Sequence, residues 1–366
     1  MLTLLFCALL QSQRDLKAGF GDVDITPETG ASLPGRWRAT PAKGVLDPLF
    51  AVACVVSDGT TSVALVGVDG IFIGKQTVKQ ARERIAKNTK IPAANVLVGA
   101  SLTTTGGPLH LCHGVEADPA YQERVANAVA KAVEDAWAAL KPCEVGVGIG
   151  IEGSISFNRR FLMKDGKEIT HPGKPGTPHH ARIVRPAGPI DPDVGVLAVR
   201  NPGGTVKAMN WMKALSISSA AETVPVKIRP EPDVAAERPA FGLGSGPEDV
   251  YAAERKRVAV ERERTPVVDC EVQGLRIGPL GIATNGAGYF AEYGLRVKQA
   301  SPHAFTWFVG LANEYIGYVP TAQAFVGGGY ETRTAPTSKL APDGGQKLLE
   351  GALRVLNRVL PKGEGR

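Results

Sequence analysis

Four short stretches of this sequence carry side chains able to do chemistry. In PLHLCHG, His110, Cys112 and His113 offer two imidazoles and a thiol, the donor types that zinc prefers. They are neighbours in one loop, however, and no spaced pair elsewhere supplies a fourth ligand, so they read as loop residues rather than as a metal site. His171, His179 and His180 lie in a Pro/Gly-rich stretch and read as solvated. Asn158, Arg159 and Arg160 are a stronger signal, because adjacent guanidinium groups present fork donors to a carboxylate, phosphate or carbonyl. The competing reading leaves one arginine exposed and pairs the other with an acid such as Asp191 or Glu331. Tyr330 and Glu331, in GGGYETR, follow glycines that permit close backbone approach, either to a ligand or to a packed ring. Serine-hydrolase chemistry is unsupported, since no Gly-x-Ser-x-Gly elbow occurs, and GFG and GVGIG lack the spacing and helix of a nucleotide loop.

The elements that must position these groups alternate between strand and helix. Apolar runs over Leu49 to Val56 and Ser62 to Val68 flank Asp58-Gly59 and predict a hairpin. Lys75 to Lys90 reads as an amphipathic helix, and Asn95 to Ala100 as a buried strand. Tyr121 to Lys141 puts Val125, Val129, Val133, Ala136 and Leu140 on one helical face before Pro142. A strand over Glu144 to Ile151 precedes a long Gly/Pro-rich loop through Pro192, longer than a compact domain keeps without a role. Then come a hairpin of Val194 to Arg200 with Thr205 to Met212, a polar proline-rich segment from Pro225 to Pro247, and a charged helix to Arg264. A hairpin of Val267 to Ile277 with Leu280 to Thr284, a helix near Ala291 to Gln299, a strand over Phe305 to Gly310 and a helix from Gln346 to Leu360 complete the order. This alternation predicts an α/β fold with a mixed sheet, in one domain over residues 16–362 followed by a tail at 363–366.

With 43% apolar and 21% charged residues in 366, the chain can bury a substantial core. Its net charge of +6 is spread among interleaved acids and bases, which reads as a solvated surface and not as a nucleic-acid site. Leu2 to Leu10 is a short apolar run followed by polar residues, so residues 1–15 read as a secretory signal segment. No later segment reaches transmembrane length. Of five cysteines, Cys54, Cys143 and Cys270 fall in strand-like apolar runs and are expected as buried free thiols.

Several irregular segments carry a resemblance: AGFGDVDITPETG, DPLFAVACVVSDGTTSVALVGVDG, FNRRFLMKDGKEITHPGK, VRPAGPIDPDVGVLAVRN and GLANEYIGYVPTAQAFVGGGYETR followed by SKLAPDGG. Taken in order from Lys17 to Leu360, they resemble the catalytic domain of the neutral/alkaline non-lysosomal ceramidases, most of all the shorter bacterial relatives. The resemblance implies that family's scaffold, extracytoplasmic location and zinc-dependent cleavage of the N-acyl bond of ceramide-like lipids. It also places Asn158, Arg159 and Arg160 near the pocket.

The family's ligand positions are altered here. Its Thr-His-Thr-His-Ser-Gly-Pro-like motif corresponds to ASLTTTGGP, so Leu102 and Thr104 stand where two histidines belong. The resemblance puts Ala214, in NWMKAL, at a further histidine and Gly288, in TNGAGYF, at an acidic ligand; Tyr318 matches the tyrosine ligand. The Gly-Asp-x-x-Pro-like loop has no counterpart. The expectation is a non-catalytic homologue with no catalytic residue, no metal ligand set and no cofactor, keeping a lipid- or anion-accepting pocket formed by Asn158, Arg159, Arg160, Tyr318, Tyr330 and Glu331. The alternative is an amide or ester hydrolase with a rearranged metal site drawing on His110, His113 and Tyr318.

Overall fold

The computed structural model describes residues 16–206, 209–230 and 248–361. The signal-like segment 1–15, most of the proline-rich segment before Pro247 and the tail at 363–366 lie outside the described residues. No described helix is long and apolar enough to cross a membrane.

Strands β1 (Lys17–Asp24), β2 (Phe50–Ser57), β3 (Ser62–Val68), β4 (Val96–Ala100) and β5 (Lys141–Pro142) form a sheet ordered β4-β3-β2-β1-β5. The β2–β3 hairpin turns at Asp58-Gly59, where Asp58 Oδ1 accepts from the backbone of Thr60 and Thr61. β4 joins β3 in parallel, after the crossover helix α1 (Lys75–Asn88). Helix α2 (Pro119–Ala138) starts two residues earlier than the periodicity predicts, because Asp118 caps it and Pro119 suits the first turn. Side chains alternate across this sheet: Ala51, Ala53 and Val55 face α1 and α2, whereas Val56, Val63 and Leu97 face the other way.

The opposite face meets a second sheet, ordered β12-β13-β14-β16, of β12 (Ile217–Lys227), β13 (Val267–Ile277), β14 (Leu280–Asn285) and β16 (Phe305–Val309). Leu275, Ile277, Leu280 and Ile282 pack against Val56, Val63 and Leu97 in one apolar layer. Cys270, Val272 and Ala283 point outward to α4 (Ala291–Ala300) and α6 (Gly344–Arg358). The result is a four-layer arrangement, helices on sheet on sheet on helices, with parallel and antiparallel pairs in both sheets.

Three expectations change. The hairpin of Val194 to Arg200 with Thr205 to Met212 does not form: β6 (Glu144–Ile151) lies between β10 (Asp193–Arg200) and β11 (Trp211–Met212). Gly146 of β6 makes room for this, since a Cβ there would meet Met209 at 3.1 Å and Trp211 at 3.3 Å. The long loop before Pro192 contains a small antiparallel sheet of β7 (Arg160–Met163), β8 (Glu168–Thr170) and β9 (Ile183–Pro186). The start of the proline-rich segment completes β12, an eleven-residue strand that its small and polar residues conceal. Helix α3 (Glu248–Arg264) begins just after Pro247, and a short helix α5 (Ala322–Gly327) precedes α6. Cys54, Cys112, Cys143 and Cys270 are free thiols, and burial pushes the Cys270 thiol up to about 12.

The second sheet also carries a pH-sensitive contact. His303 packs on Gly281 and its Nε2 donates to Leu356 O at 2.9 Å, while burial, with Arg276 adding to it, holds the imidazole below its usual pKa. The unfolded chain therefore binds a proton first as pH falls through about 6.5, and stability is lost in that window. Thermal melts between neutral pH and the folded-state pKa should show a falling Tm, and His303→Gln should flatten that slope. An unchanged slope would remove His303 as the cause.

Candidate functional site

Beyond β14 the chain turns into β15 (Ala287–Tyr289), which pairs in parallel with β17 (Gly317–Val319) and sets Gly288 directly opposite Tyr318. A Cβ on Gly288 would approach Tyr318 Cδ1 to 2.9 Å. The loop after β4 reaches the same end of the sandwich: Ala100 N donates to Leu311 O at 3.1 Å, and Leu311 N to Ala287 O at 3.0 Å. Leu102, Gly288 and Tyr318 thus belong to one end of the molecule. Ala214 does not. Its neighbour Leu215 packs on the Gly278 turn at the far end of β13 and β14, with Ser216 O accepting from Gly278 N. The length of β14, about 17 Å at the usual strand rise, separates it from Gly288.

Tyr318 anchors a compact polar cluster. Its hydroxyl lies 2.6 Å from that of Tyr330, with the two rings edge to face. Arg159 donates through Nη2 to both hydroxyls and through Nε to Glu331 Oε1 at 3.2 Å, and its guanidinium lies over the Tyr330 ring. Burial opposes the charge on Arg159, but the tyrosine oxygens and the Glu331 carboxylate outweigh it and hold the pKa above the ordinary value. Burial, reinforced by Tyr318, raises the Tyr330 phenol well above its usual range, so that it stays a neutral hydroxyl.

Arg160 has a different task. It is 5% exposed and makes bonds to Glu331 Oε2 at 2.9 Å, Glu168 Oε2 at 2.5 Å and Gly328 O at 2.6 Å. Glu331, 2% exposed, also accepts from Thr170 Oγ1 at 2.8 Å. Asn158 accepts from Arg160 N and donates to Pro189 O, fixing the turn into β7. Both arginines therefore pair with Glu331, while Asp191 pairs with Lys298. Of the six residues nominated from sequence, Arg159, Arg160, Tyr318, Tyr330 and Glu331 converge, and Asn158 supports the turn beside them. Arg159 keeps a side chain 37% exposed, and among the described residues no group bonds its Nη1, which leaves a guanidinium donor at a partly solvated position.

The other candidates lie apart. His110 is 5.1 Å from Tyr315 ring to ring and its Nδ1 bonds Leu111 O, whereas the His113 ring lies tilted against Trp37 at 4.0 Å and faces Glu254 at 3.5 Å. Among the described residues no group of three His, Cys, Asp or Glu side chains is placed to hold a metal. Sequence reasoning also missed Glu168 and Thr170, the groups that complete the Arg160–Glu331 pairing. Their only signal was position within the supposed loop.

A mixed α/β scaffold with paired sheets, flanking helices and a tyrosine–arginine cluster at one end is the class defined so far. Solved structures identify its type: the fold is similar to the neutral ceramidase from Pseudomonas aeruginosa, with a TM-score of 0.65 and 15% identity over 95% of this chain and 75% of that one. It is similar as well to a structure described as ceramidase complexed with C2, with a TM-score of 0.66 and 14% identity over 96% of this chain and 77% of that one. No family model and no curated protein matches the sequence.

Proposed function

We propose that this chain is an exported, non-catalytic homologue of the ceramidase-type hydrolases, a single domain over residues 16–362 that retains a lipid- or anion-accepting site at Arg159. The observation carrying the proposal is the cluster at Tyr318: its hydroxyl is engaged by Arg159 and Tyr330, and the position across from it is Gly288, which has no side chain. A zinc ion needs about four good donors. Leu102 and Gly288 supply none, and Thr104 packs against the Gly35 loop. These residues do not fit zinc. Leu102 also holds φ +63 with its side chain 44% exposed, a costly conformation for leucine that makes no use of the side chain. The Nη1 donor of Arg159 suits a carbonyl, carboxylate or phosphate oxygen. The apolar run Leu2 to Leu10 supports export.

Elemental analysis of protein purified without chelators, beside turnover of a fluorescent ceramide, tests this reading. The expected result is no stoichiometric zinc and no chelator-sensitive cleavage. About one zinc per chain together with such cleavage would overturn it.

A further inference from the structure

A second concave site lies beside the Arg159 cluster, its wall residue Tyr315 near enough to Tyr318 for the two phenols to interact. Helix α3 faces the His110–Leu111 loop, Tyr315 and Lys339 across a cleft of about 630 Å³, and the cleft shares no lining residue with that cluster. Its volume falls in the range of small-molecule sites. The walls include Leu111, Pro336, the Tyr315 ring and Val260, the last 46% exposed.

The charge on this cleft has one predominant sign. Lys256, Arg257, Arg264 and Lys339 line it, against the single acid Glu261. Two of these cations are matched: Lys339 pairs with Glu261 at 2.5 Å and Arg257 with Glu116 at 2.6 Å. Among the described residues no carboxylate lies within ion-pairing distance of Lys256 or Arg264. Lys256, Val260 and Arg264 recur every four residues, so they share one face of α3 with the valine between the two cations, the outer pair about 12 Å apart along the axis. An exposed valine flanked by uncompensated cations above an aromatic and aliphatic floor is complementary to a molecule with an apolar tail and an anionic head. A simple anion would leave the apolar wall wet, and a neutral lipid would leave the cations unmatched.

We propose that this cleft is a binding site for an anionic amphiphile, its head held by Lys256 and Arg264 and its chain lying over Val260, Leu111 and Tyr315. The cleft shares no lining residue with the neighbouring Arg159 cluster, and the inference holds whether or not that cluster binds a ligand.

Calorimetric titration with dodecanoate and with dodecyl phosphate, both below micelle formation, tests it in the Arg159→Leu variant, so that the first site cannot contribute. Saturable one-site binding is expected, weakened about tenfold or more when Lys256→Ala and Arg264→Ala are combined. Dodecanol and inorganic phosphate should each bind far more weakly, and the His110 ring resonances should shift on loading. A tighter dodecyl phosphate would assign the head to a phosphate, a tighter dodecanoate to a carboxylate, and either supports the site. Because Lys256 and Arg264 are exposed, their alanine variants should keep the parent Tm; if they do not, Val260→Asp, which removes the apolar contact and repels the anionic head, provides the second block of the cleft. The proposal fails if no amphiphile binding survives Arg159→Leu, if surviving binding ignores both substitutions at the cleft, or if dodecanol binds as well as dodecanoate.

Discussion

Arg160→Leu is expected to cost about 3–5 kcal/mol of stability, or to prevent folding, because it strands two carboxylates in a site that water barely reaches. Glu331 is 2% exposed and Glu168 11%, and Arg160 bridges them while also donating to the Gly328 carbonyl. Arg159→Leu should cost only about 1 kcal/mol, since Glu331 keeps Arg160 and Thr170 and the lost guanidinium is partly solvated. The same substitution should nevertheless remove the Nη1 donor and so weaken anionic ligands at this site. Arg160→Lys should fall between the two, because an ammonium restores the charge but cannot serve both carboxylates in the planar fork geometry. Urea denaturation with an unchanged slope would measure these differences. Equal costs at positions 159 and 160 would mean that the two arginines do not divide between scaffold and pocket as their burial indicates.

That division explains what the sequence could and could not disclose. Adjacent arginines and the Tyr330-Glu331 step mark a polar site by residue type alone. Which guanidinium is sealed depends on β7 and β8 pairing across Asp165-Gly166, and the local pattern of that stretch is indistinguishable from a loop. Strong periodicity made α1, α2, α4 and α6 legible to within a few residues, as did the hairpins joining β2 to β3 and β13 to β14. β12 escaped because its burial comes from β13 and α6, not from its own composition, and the pairing of β10 was misread because a turn dipeptide fixes a reversal without fixing the partner. The placement of Ala214 failed for a related reason. A short motif can match a family pattern while the element that carries it ends at the wrong edge of the sheet.

Gly19→Ala should be among the most damaging single-methyl additions in the protein, at about 1–3 kcal/mol or more. GFG has no nucleotide to cradle. Its glycines let α2 lie directly on β1, where a Cβ at position 19 would sit 2.0 Å from Ala136 O and one at position 21 only 2.4 Å from Ala132 O. Those contacts are helix backbone, which cannot turn aside like a flexible side chain, so α2 must move as a body. Gly67→Ala in β3 is the matched control: nothing lies within 4 Å of its added methyl, and the alanine should stabilise by about 0.5–1 kcal/mol by restricting the unfolded chain. The displacement should also reach the end of the fold that carries Leu102 and Thr104. Tyr121 of α2 presses its ring on Gly107, where a Cβ would meet it at 2.1 Å, and donates to Ile25 O at 2.6 Å, so the helix braces the loop that holds Leu102 and Thr104. Chemical denaturation of the two alanine variants, with hydrogen exchange across residues 101–118, tests both steps. A neutral Gly19→Ala would show that α2 is not seated on β1 as tightly as these distances require, and normal protection of the loop in a destabilised variant would uncouple it from the helix.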